Sequence, residues 1–246
     1  MVKILRFSKK RYFQNSGFCP ICKKNVEFVA TNNWFRDNYI CTKCGSIPRE
    51  RAIMSVIDTW MPDWRLKSVH ESSPINRGAS VKISSECKNY IPSQFFPGMK
   101  LGSLIDGVRC ENLENLTFEN ESIDLHITQD VFEHLFFPDR AFKEIARTLK
   151  SGGLHIFSVP LVNRNRLSEV RAELDEVFNE IKYIKPPEYH GNPINEKGSL
   201  VTYDWGFDIC QKIFEASGLF THIIVIDDLS KGIRAELNEI LVTIKP

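Results

Sequence analysis

Residues 112–160 read NLENLTFENESIDLHITQDVFEHLFFPDRAFKEIARTLKSGGLHIFSVP, and this stretch decides the fold. Residues 122–128 form a short apolar run with an acidic opening, which predicts a buried strand ending just before the polar group Gln129, Asp130, Glu133 and His134. Over 138–150, Ala141, Phe142, Ile145, Ala146 and Leu149 recur at helical spacing. Pro138 and Asp139 suit the start of that helix, and Ser151-Gly152-Gly153 its stop. Residues 154–160 supply the next strand. Strand, crossover helix and strand in this order predict a parallel, right-handed unit, and open parallel sheets take ligands beyond the carboxyl ends of their strands. The expected site is the edge that carries residues 129–134.

At 246 residues the chain has room for one full α/β domain and a small extra module. An apolar share of 42% with 26% charged residues is that of a soluble globular protein. No run approaches the roughly 18 apolar residues of a spanning helix. The opening MVKILRFSKKRYF is basic and lacks an apolar core of signal-peptide length, so a cytoplasmic protein is expected. In that compartment the seven cysteines point to metal or free thiols. The net charge of +1 conceals an asymmetry: residues 1–65 hold twelve Lys and Arg against five Asp and Glu, and the remainder holds twenty against twenty-six. A basic N-terminal part on an acidic body is an electrostatic footprint for RNA or another polyanion, or else the solvated surface of a small metal module.

Cys19-Pro-Ile-Cys22 and Cys41-Thr-Lys-Cys44 are two CxxC knuckles eighteen residues apart. Zinc takes four thiolates in a tetrahedron, each knuckle delivers two, and the segment between them folds back as a hairpin with arms over 26–31 and 34–41. Four thiolates close the shell, so the predicted Zn2+ is structural. The competing use is a redox dithiol. Cys87, Cys110 and Cys210 lack the spacing and are expected to be buried apolar residues. After the quartet, Pro48 opens an amphipathic helix bearing Ala52, Ile53, Val56 and Ile57. The predicted modules are a zinc ribbon over 1–47 and an α/β domain over 48–246, with a lid-like insert over about 161–203. That insert contains a charged, helix-forming stretch over 167–184.

The ordered set Leu116-Thr117-Phe118, Ser122-Ile123-Asp124-Leu125, Val131-Phe132-Glu133-His134, the 141–149 helix and Lys150-Ser151-Gly152-Gly153 resembles the central segment of class I S-adenosylmethionine-dependent methyltransferases, in particular the type 11 branch. The likeness is close over 108–160 and weaker over 66–107. It implies a doubly wound, mostly parallel, seven-stranded Rossmann-like sheet, bound S-adenosylmethionine and methyl transfer. On that basis the strand over 66–71 leads into the cofactor turn Glu71-Ser72-Ser73-Pro74-Ile75-Asn76-Arg77-Gly78. Only Gly78 there is a glycine, a departure from a turn that is normally glycine-rich so that the backbone can approach its ligand. Glu71, Ser72, Ser73 and Gly78 are the expected cofactor contacts of this turn. A strand over 89–94 puts Ser93 or Gln94 at the ribose position, with Glu86 as the fallback. Asn112 or Glu111, with Leu113, falls at the adenine position, and Gln129 and Asp130 form the rim. Arg49 or Arg51 is placed to reach the methionine carboxylate.

Methyl transfer from a sulfonium needs alignment and an emptied pocket, and sometimes a base. His134 with Glu133 beside it is the expected base. Tyr189, His190, Asn192, Tyr203 and Trp205 in and after the insert are the expected acceptor contacts. Three functions follow: transfer to a small-molecule or glycan acceptor; transfer to RNA docked on the basic ribbon, similar to a ribosomal-RNA guanine methyltransferase family with an N-terminal zinc module; or a non-catalytic binding module that has lost its cofactor. The chain has no Asn-Pro-Pro-aromatic or cysteine-nucleophile signature of nucleic-acid methyltransferases, which favours the first.

Overall fold

The computed structural model describes residues 11–192 and 197–246; the basic stretch 1–10 and Pro193 lie outside the described residues. The N-terminal part is a three-stranded antiparallel sheet of β1 (Phe13–Cys19), β2 (Lys24–Ala30) and β3 (Tyr39–Cys41), with one helical turn, α1 (Phe35–Asn38), before β3. The hairpin predicted between the knuckles is β2 and β3, but its second arm is strand only from Tyr39. The Asn32 side chain accepts the Trp34 N–H at 2.9 Å and turns the chain into α1. Helix α2 (Pro48–Trp60) spans the predicted residues.

The remaining elements are β4 (Ser68–Ser72), α3 (Gly78–Glu86), β5 (Asn89–Gln94), β6 (Leu104–Ile105), β7 (Val108–Cys110), β8 (Ile123–Gln129), α4 (Pro138–Thr148), β9 (Leu149–Ser158), the short strands β10 (Glu169–Val170), β11 (Ala172–Asp175), β12 (Glu180–Tyr183), β13 (Tyr189–His190), β14 (Ser199–Leu200) and β15 (Tyr203–Asp204), then α5 (Ile209–Ser217), β16 (Phe220–Ile224) and β17 (Ile240–Ile244). The main sheet runs β16-β17-β9-β8-β4-β5-β7-β6. Its five central strands are parallel, and β17 returns antiparallel to β9. The winding reverses between β4 and β8, the switch point where such sheets take ligands.

Three expectations need correction. The sheet has eight strands, because Asp106-Gly107, both at positive φ, turns β6 back on β7 as a two-residue hairpin. The predicted 167–184 helix is strand: Asp175 Oδ1 accepts from Val177 N and Phe178 N, Asn179 takes a positive φ, and β11 pairs antiparallel with β12. Its Glu, Leu and Arg content suits a helix, but the turn chemistry prevails. Helix α4 stops at Thr148 and not at Ser151-Gly152-Gly153, since Leu149 already pairs with Ile123.

One apolar cluster joins Cys19, Phe28, Tyr39 and Cys41 to Ile53 and Ile57 of α2 and to Val69, Ile127 and Val242 of the sheet. On the other face a second cluster joins α4 and α5 to Phe132, Phe157 and Trp205. Among the described residues no helix is long and apolar enough to cross a membrane.

Candidate functional site at the carboxyl edge of the sheet

Glu71, the next-to-last residue of β4, is fully buried. Its carboxylate accepts from Ser80 Oγ at 2.6 Å, Tyr90 OH at 2.8 Å and Gln129 Nε2 at 3.1 Å, so it ties α3, β5 and β8 together. Burial pushes its carboxyl above the usual range. Ser73 then takes φ +56°, the conformation a glycine would supply, and its N–H donates to Ser93 O at 2.7 Å. Gly78 also has positive φ, and an added Cβ would run into the buried Glu50 carboxylate. Glycine is thus kept in this turn for packing against α2.

Gln94 ends β5 half-buried, whereas Ser93 is fully buried and its Oγ lies 2.7 Å from His70 Nε2. Glu86 lies at the far end of α3, bound to Arg65. Of the adenine-side residues, Glu111 is buried and accepts from Arg109 Nε at 2.5 Å and Thr117 N at 2.9 Å. Asn112 Oδ1 accepts from Glu114 N at 3.0 Å, and Leu113 sits in the second apolar cluster. Gln129 Oε1 is buried without a partner, an orphaned acceptor on the rim where the resemblance places the cofactor.

Asp130 is the junction of the edge. It accepts from Arg36 Nη2 at 2.6 Å, from Arg49 Nη1 and from Ser158 Oγ at 3.0 Å. Burial pushes its carboxyl up, but Arg49 and Arg36 outweigh that and hold it below the usual carboxylate range. Asp130 and Arg49 are therefore engaged with each other. Arg51 points elsewhere: fully buried, it donates to Tyr39 O at 2.8 Å and Gly232 O at 2.7 Å, and it has no path to the edge. Arg36, which no pattern in the sequence marked, also reaches the Leu237 carbonyl.

Glu133 and His134 follow in a 3-10 turn, and the insert docks on them. Thr202 N donates to Glu133 O at 2.7 Å, and His134 Nδ1 lies 2.8 Å from Leu200 O. Of the expected acceptor contacts, His190 reaches this cluster, Tyr189 is half exposed, and Asn192 donates to Ser199 Oγ at 3.1 Å. Tyr203 stacks on Trp205 with centroids 4.8 Å apart. Trp205 is fully buried in the core and offers no surface to an acceptor.

A cavity of about 450 Å³ opens beside this rim, within the size range of small-molecule pockets. It is walled by Tyr12, Trp34 and Phe35 of the N-terminal part, by Arg164 after β9, and by Asn238 and Glu239 before β17. Because β17 runs antiparallel to β9, the residues just before it stand at the carboxyl edge. Arg36 bridges Asp130 on the rim to the carbonyl of Leu237, the residue before Asn238 of the cavity wall. Neither side-chain atom of the buried Asn238 has a hydrogen-bond partner, and Glu239 Oε2 has none. Arg164 pairs with the other Glu239 oxygen at 2.5 Å. Sequence reasoning missed this wall; its one legible signal was a polar pair immediately before the last strand.

The four knuckle cysteines converge with all Sγ atoms within 4.8 Å of one another. Zinc–thiolate bonds of about 2.3 Å imply a tetrahedron with edges of about 3.8 Å. Cys19 and Cys44 are 3.7 Å apart, and Cys22 and Cys41 4.0 Å. These two distances, each between knuckles, suit the edges of a four-sulfur shell. Hydrogen bonds from Cys41 and Cys44 pull the Cys19 thiol far down, while burial pushes Cys22 up to about 12. Four thiolates this close need a dication among them.

Residues 88–157 match a family model described as a methyltransferase domain. None of the curated proteins compared matches the chain. Among solved structures, an S-adenosylmethionine-dependent methyltransferase from Mesorhizobium loti is 14% identical over 78% of this chain and 96% of its own, with a TM-score of 0.48. The YcgJ protein of Bacillus subtilis is 13% identical over 79% of this chain and 98% of its own, with a TM-score of 0.46. A Haemonchus contortus phosphoethanolamine N-methyltransferase in complex with S-adenosyl-L-methionine is 13% identical over 79% of this chain and 52% of its own, with a TM-score of 0.44. Likenesses of this size transfer no residue roles and no acceptor. The matched segment runs across β5 to β9, so the chain carries a methyltransferase domain and is an enzyme.

Proposed function

We propose that this methyltransferase acts on a small hydroxylated acceptor of glycan type, held in the cavity between the N-terminal part and the β16–β17 loop. The carrying observation is the pairing of aromatic walls with unpartnered polar groups at Asn238 and Glu239. Asn238 offers a donor and an acceptor, and Glu239 Oε2 an acceptor. Hydroxyl groups both give and take hydrogen bonds and would satisfy all three once these covered atoms turn toward the cavity. A phosphate or carboxylate would meet the Glu239 charge instead. Trp34 and Tyr12, both exposed, offer flat faces to an apolar ring surface.

The cofactor supplies an electrophilic methyl group when bound. We assign its holding to Ser72 and Ser73 of the bend, Gln94, Asn112 with Leu113, and Gln129. Glu71, Gly78, Glu111 and Asp130 act behind them as positioning residues. With its Nε2 unligated, His134 beside Glu133 is the candidate base. We assign Zn2+ to Cys19, Cys22, Cys41 and Cys44 in a structural role.

The RNA reading loses support from where the basic residues lie. Arg36 and Arg51 are buried, Arg49 is engaged with Asp130, and Lys23 and Arg65 hold Asp58 and Glu86. Among the described residues, that leaves Arg11, Lys24 and Lys43 exposed to face phosphates.

The test is transfer of labelled methyl from S-adenosylmethionine to a panel of soluble glycans and sugar nucleotides set against total RNA, with calorimetry of S-adenosylhomocysteine alongside. Label on glycans with KM raised at least about tenfold by W34A or N238A is expected. Label on RNA alone would refute the acceptor reading, and no heat with S-adenosylhomocysteine would instead favour the non-catalytic module.

A further inference from the structure

Three side chains from two separate segments meet beside the rim with their ligating atoms turned toward one point. Glu133 and His134 lie in the turn after β8, and His190 belongs to β13 in the insert. Their donor atoms all lie within 4.8 Å of one another. Glu133 Oε1 is 3.8 Å from His134 Nε2 and 3.7 Å from His190 Nδ1. Glu133 is only 1% exposed, and neither of its oxygens has a hydrogen-bond partner. A buried carboxylate left this way is costly unless a cation compensates it.

The imidazoles are oriented for such a cation. His134 Nδ1 lies 2.8 Å from the Leu200 carbonyl, which can only accept, so Nδ1 carries the proton and Nε2 presents a lone pair toward Glu133. His190 Nε2 faces Glu188 Oε1 at 3.6 Å, which leaves Nδ1 toward Glu133. Each ring thus turns one nitrogen outward to an oxygen acceptor and the other inward. Histidines that bind metals are fixed in this manner, by a carbonyl or a carboxylate on the far nitrogen. The rings stand at 87° with centroids 5.3 Å apart, so they approach a common centre from different directions. Two lone pairs and a carboxylate converging on one point repel each other until a positive charge sits between them.

We propose that Glu133, His134 and His190 bind a divalent first-row transition ion, a second metal site separate from the cysteine quartet and independent of the acceptor's identity. Two imidazoles and one carboxylate suit Zn2+, Fe2+, Co2+ or Mn2+ and leave further positions open. Bonds of about 2.0–2.2 Å would draw the donors together by roughly half an ångström from their present spacing. The ion would clamp the insert onto the turn after β8, adding to the bonds that Thr202 N already donates to the Glu133 carbonyl and Thr202 Oγ1 to the Leu135 carbonyl. Without an ion, the same contacts describe a protonated His190 paired with Glu133, which is the competing account. The other charges nearby are Glu188 and the Asp130–Arg49 pair.

The test is titration of the full chain, its cysteine quartet first loaded with one equivalent of zinc, with cobalt(II). One further equivalent should bind with the weak visible bands of nitrogen and oxygen ligation and without the intense thiolate charge-transfer absorption of a displaced quartet. His190→Ala, at a half-exposed position that packing does not require, should weaken that equivalent by more than the about 10–100-fold that loss of an outer partner costs. Glu133→Gln should do the same, while zinc stays bound in both variants. No second equivalent, or equal binding by His190→Ala, would overturn the proposal in favour of the protonated pair.

Discussion

Three of the six histidines stand in a row through the middle of the sheet, and they make stability fall as the solution is acidified. His70, His126 and His155 are register neighbours on β4, β8 and β9, each buried. His70 Nδ1 lies 2.7 Å from His126 Nδ1, His126 Nε2 lies 2.8 Å from Thr148 Oγ1, and His155 Nε2 lies 3.1 Å from Thr128 Oγ1. Burial pushes all three imidazoles down, His70 and His155 to about 3 and His126 well below its ordinary value. Unfolded, each takes a proton near the ordinary value of about 6.5. Below that pH the unfolded chain binds more protons than the folded one, so the contribution is fully present above about 6.5 and is lost progressively toward about 3. Between pH 7 and 5.5 each histidine removes about 1.2 kcal/mol, or about 4 kcal/mol for the row. Against a typical total of about 5–15 kcal/mol this is large. Urea unfolding at a series of pH values, in excess zinc, measures it. His155 stacks on Phe157 at 4.2 Å, so the double variant T128V/H155F replaces one buried imidazole and its hydroxyl partner with apolar groups and should flatten the slope by about a third. His190, held above its ordinary range by Glu133, works in the opposite sense, so the change in slope is the decisive readout. A slope unchanged by the double variant would refute the reasoning.

Asp130→Asn leaves Arg36 and Arg49 facing a neutral amide in a buried place and should cost about 3–5 kcal/mol, which for a chain of this size lowers Tm by about 10 °C. Because Asp130 is held below the usual carboxylate range, its stabilisation is present above about pH 4 and lost as pH falls through the depressed value, so the variant should also lack that part of the acid transition. A Tm within about 2 °C of the parent in scanning calorimetry would contradict this. Cys41→Ser, or a strong chelator, should release one zinc per chain in a colorimetric assay and lower Tm, since Cys19 and Cys41 lie in the same apolar cluster as Val69 and Ile127. A chain that binds no metal and keeps its Tm would rule out the structural role.

What the sequence made legible was local chemistry with a period or a fixed spacing. The start of α2 and the bounds of β5 were predicted to the residue, β8 to within one, and the cysteine quartet follows from spacing alone. The β11–β12 hairpin was not legible, because Glu, Leu and Arg score as helix formers and only the Asp175 and Asn179 turn contradicts them. Nor was β1, whose Phe13, Asn15 and Gly17 alternate with Gln14 and Ser16 in a run too polar to register as a strand. At the site, the edge position of residues 129–134 was legible, but the tasks of Asp130, Arg51 and Trp205 were not. Those depend on partners 94, 181 and 63 residues away at Arg36, Gly232 and Phe142, which no local pattern can announce.

The N-terminal part bears on catalysis through the way it is joined. Gly17 backs onto the Ser230 carbonyl and Gly232 onto the Phe28 ring, so closely that a Cβ at either position would collide. Arg51 lies over the Phe28 ring at 4.7 Å and donates to the Gly232 carbonyl, which pins the β16–β17 loop against β2. That same loop ends in Asn238 and Glu239, and the same small sheet leads through Asn32 and Trp34 into the opposite wall of the cavity. Arg36 then carries the connection to Asp130 at the end of β8. Both walls of the proposed acceptor cavity are thus set by elements whose positions depend on the knuckles that gather the four cysteines. Loss of a metal from that quartet should therefore appear in acceptor binding before it appears in the bend at Ser72 and Ser73, which rests on α2 and α3.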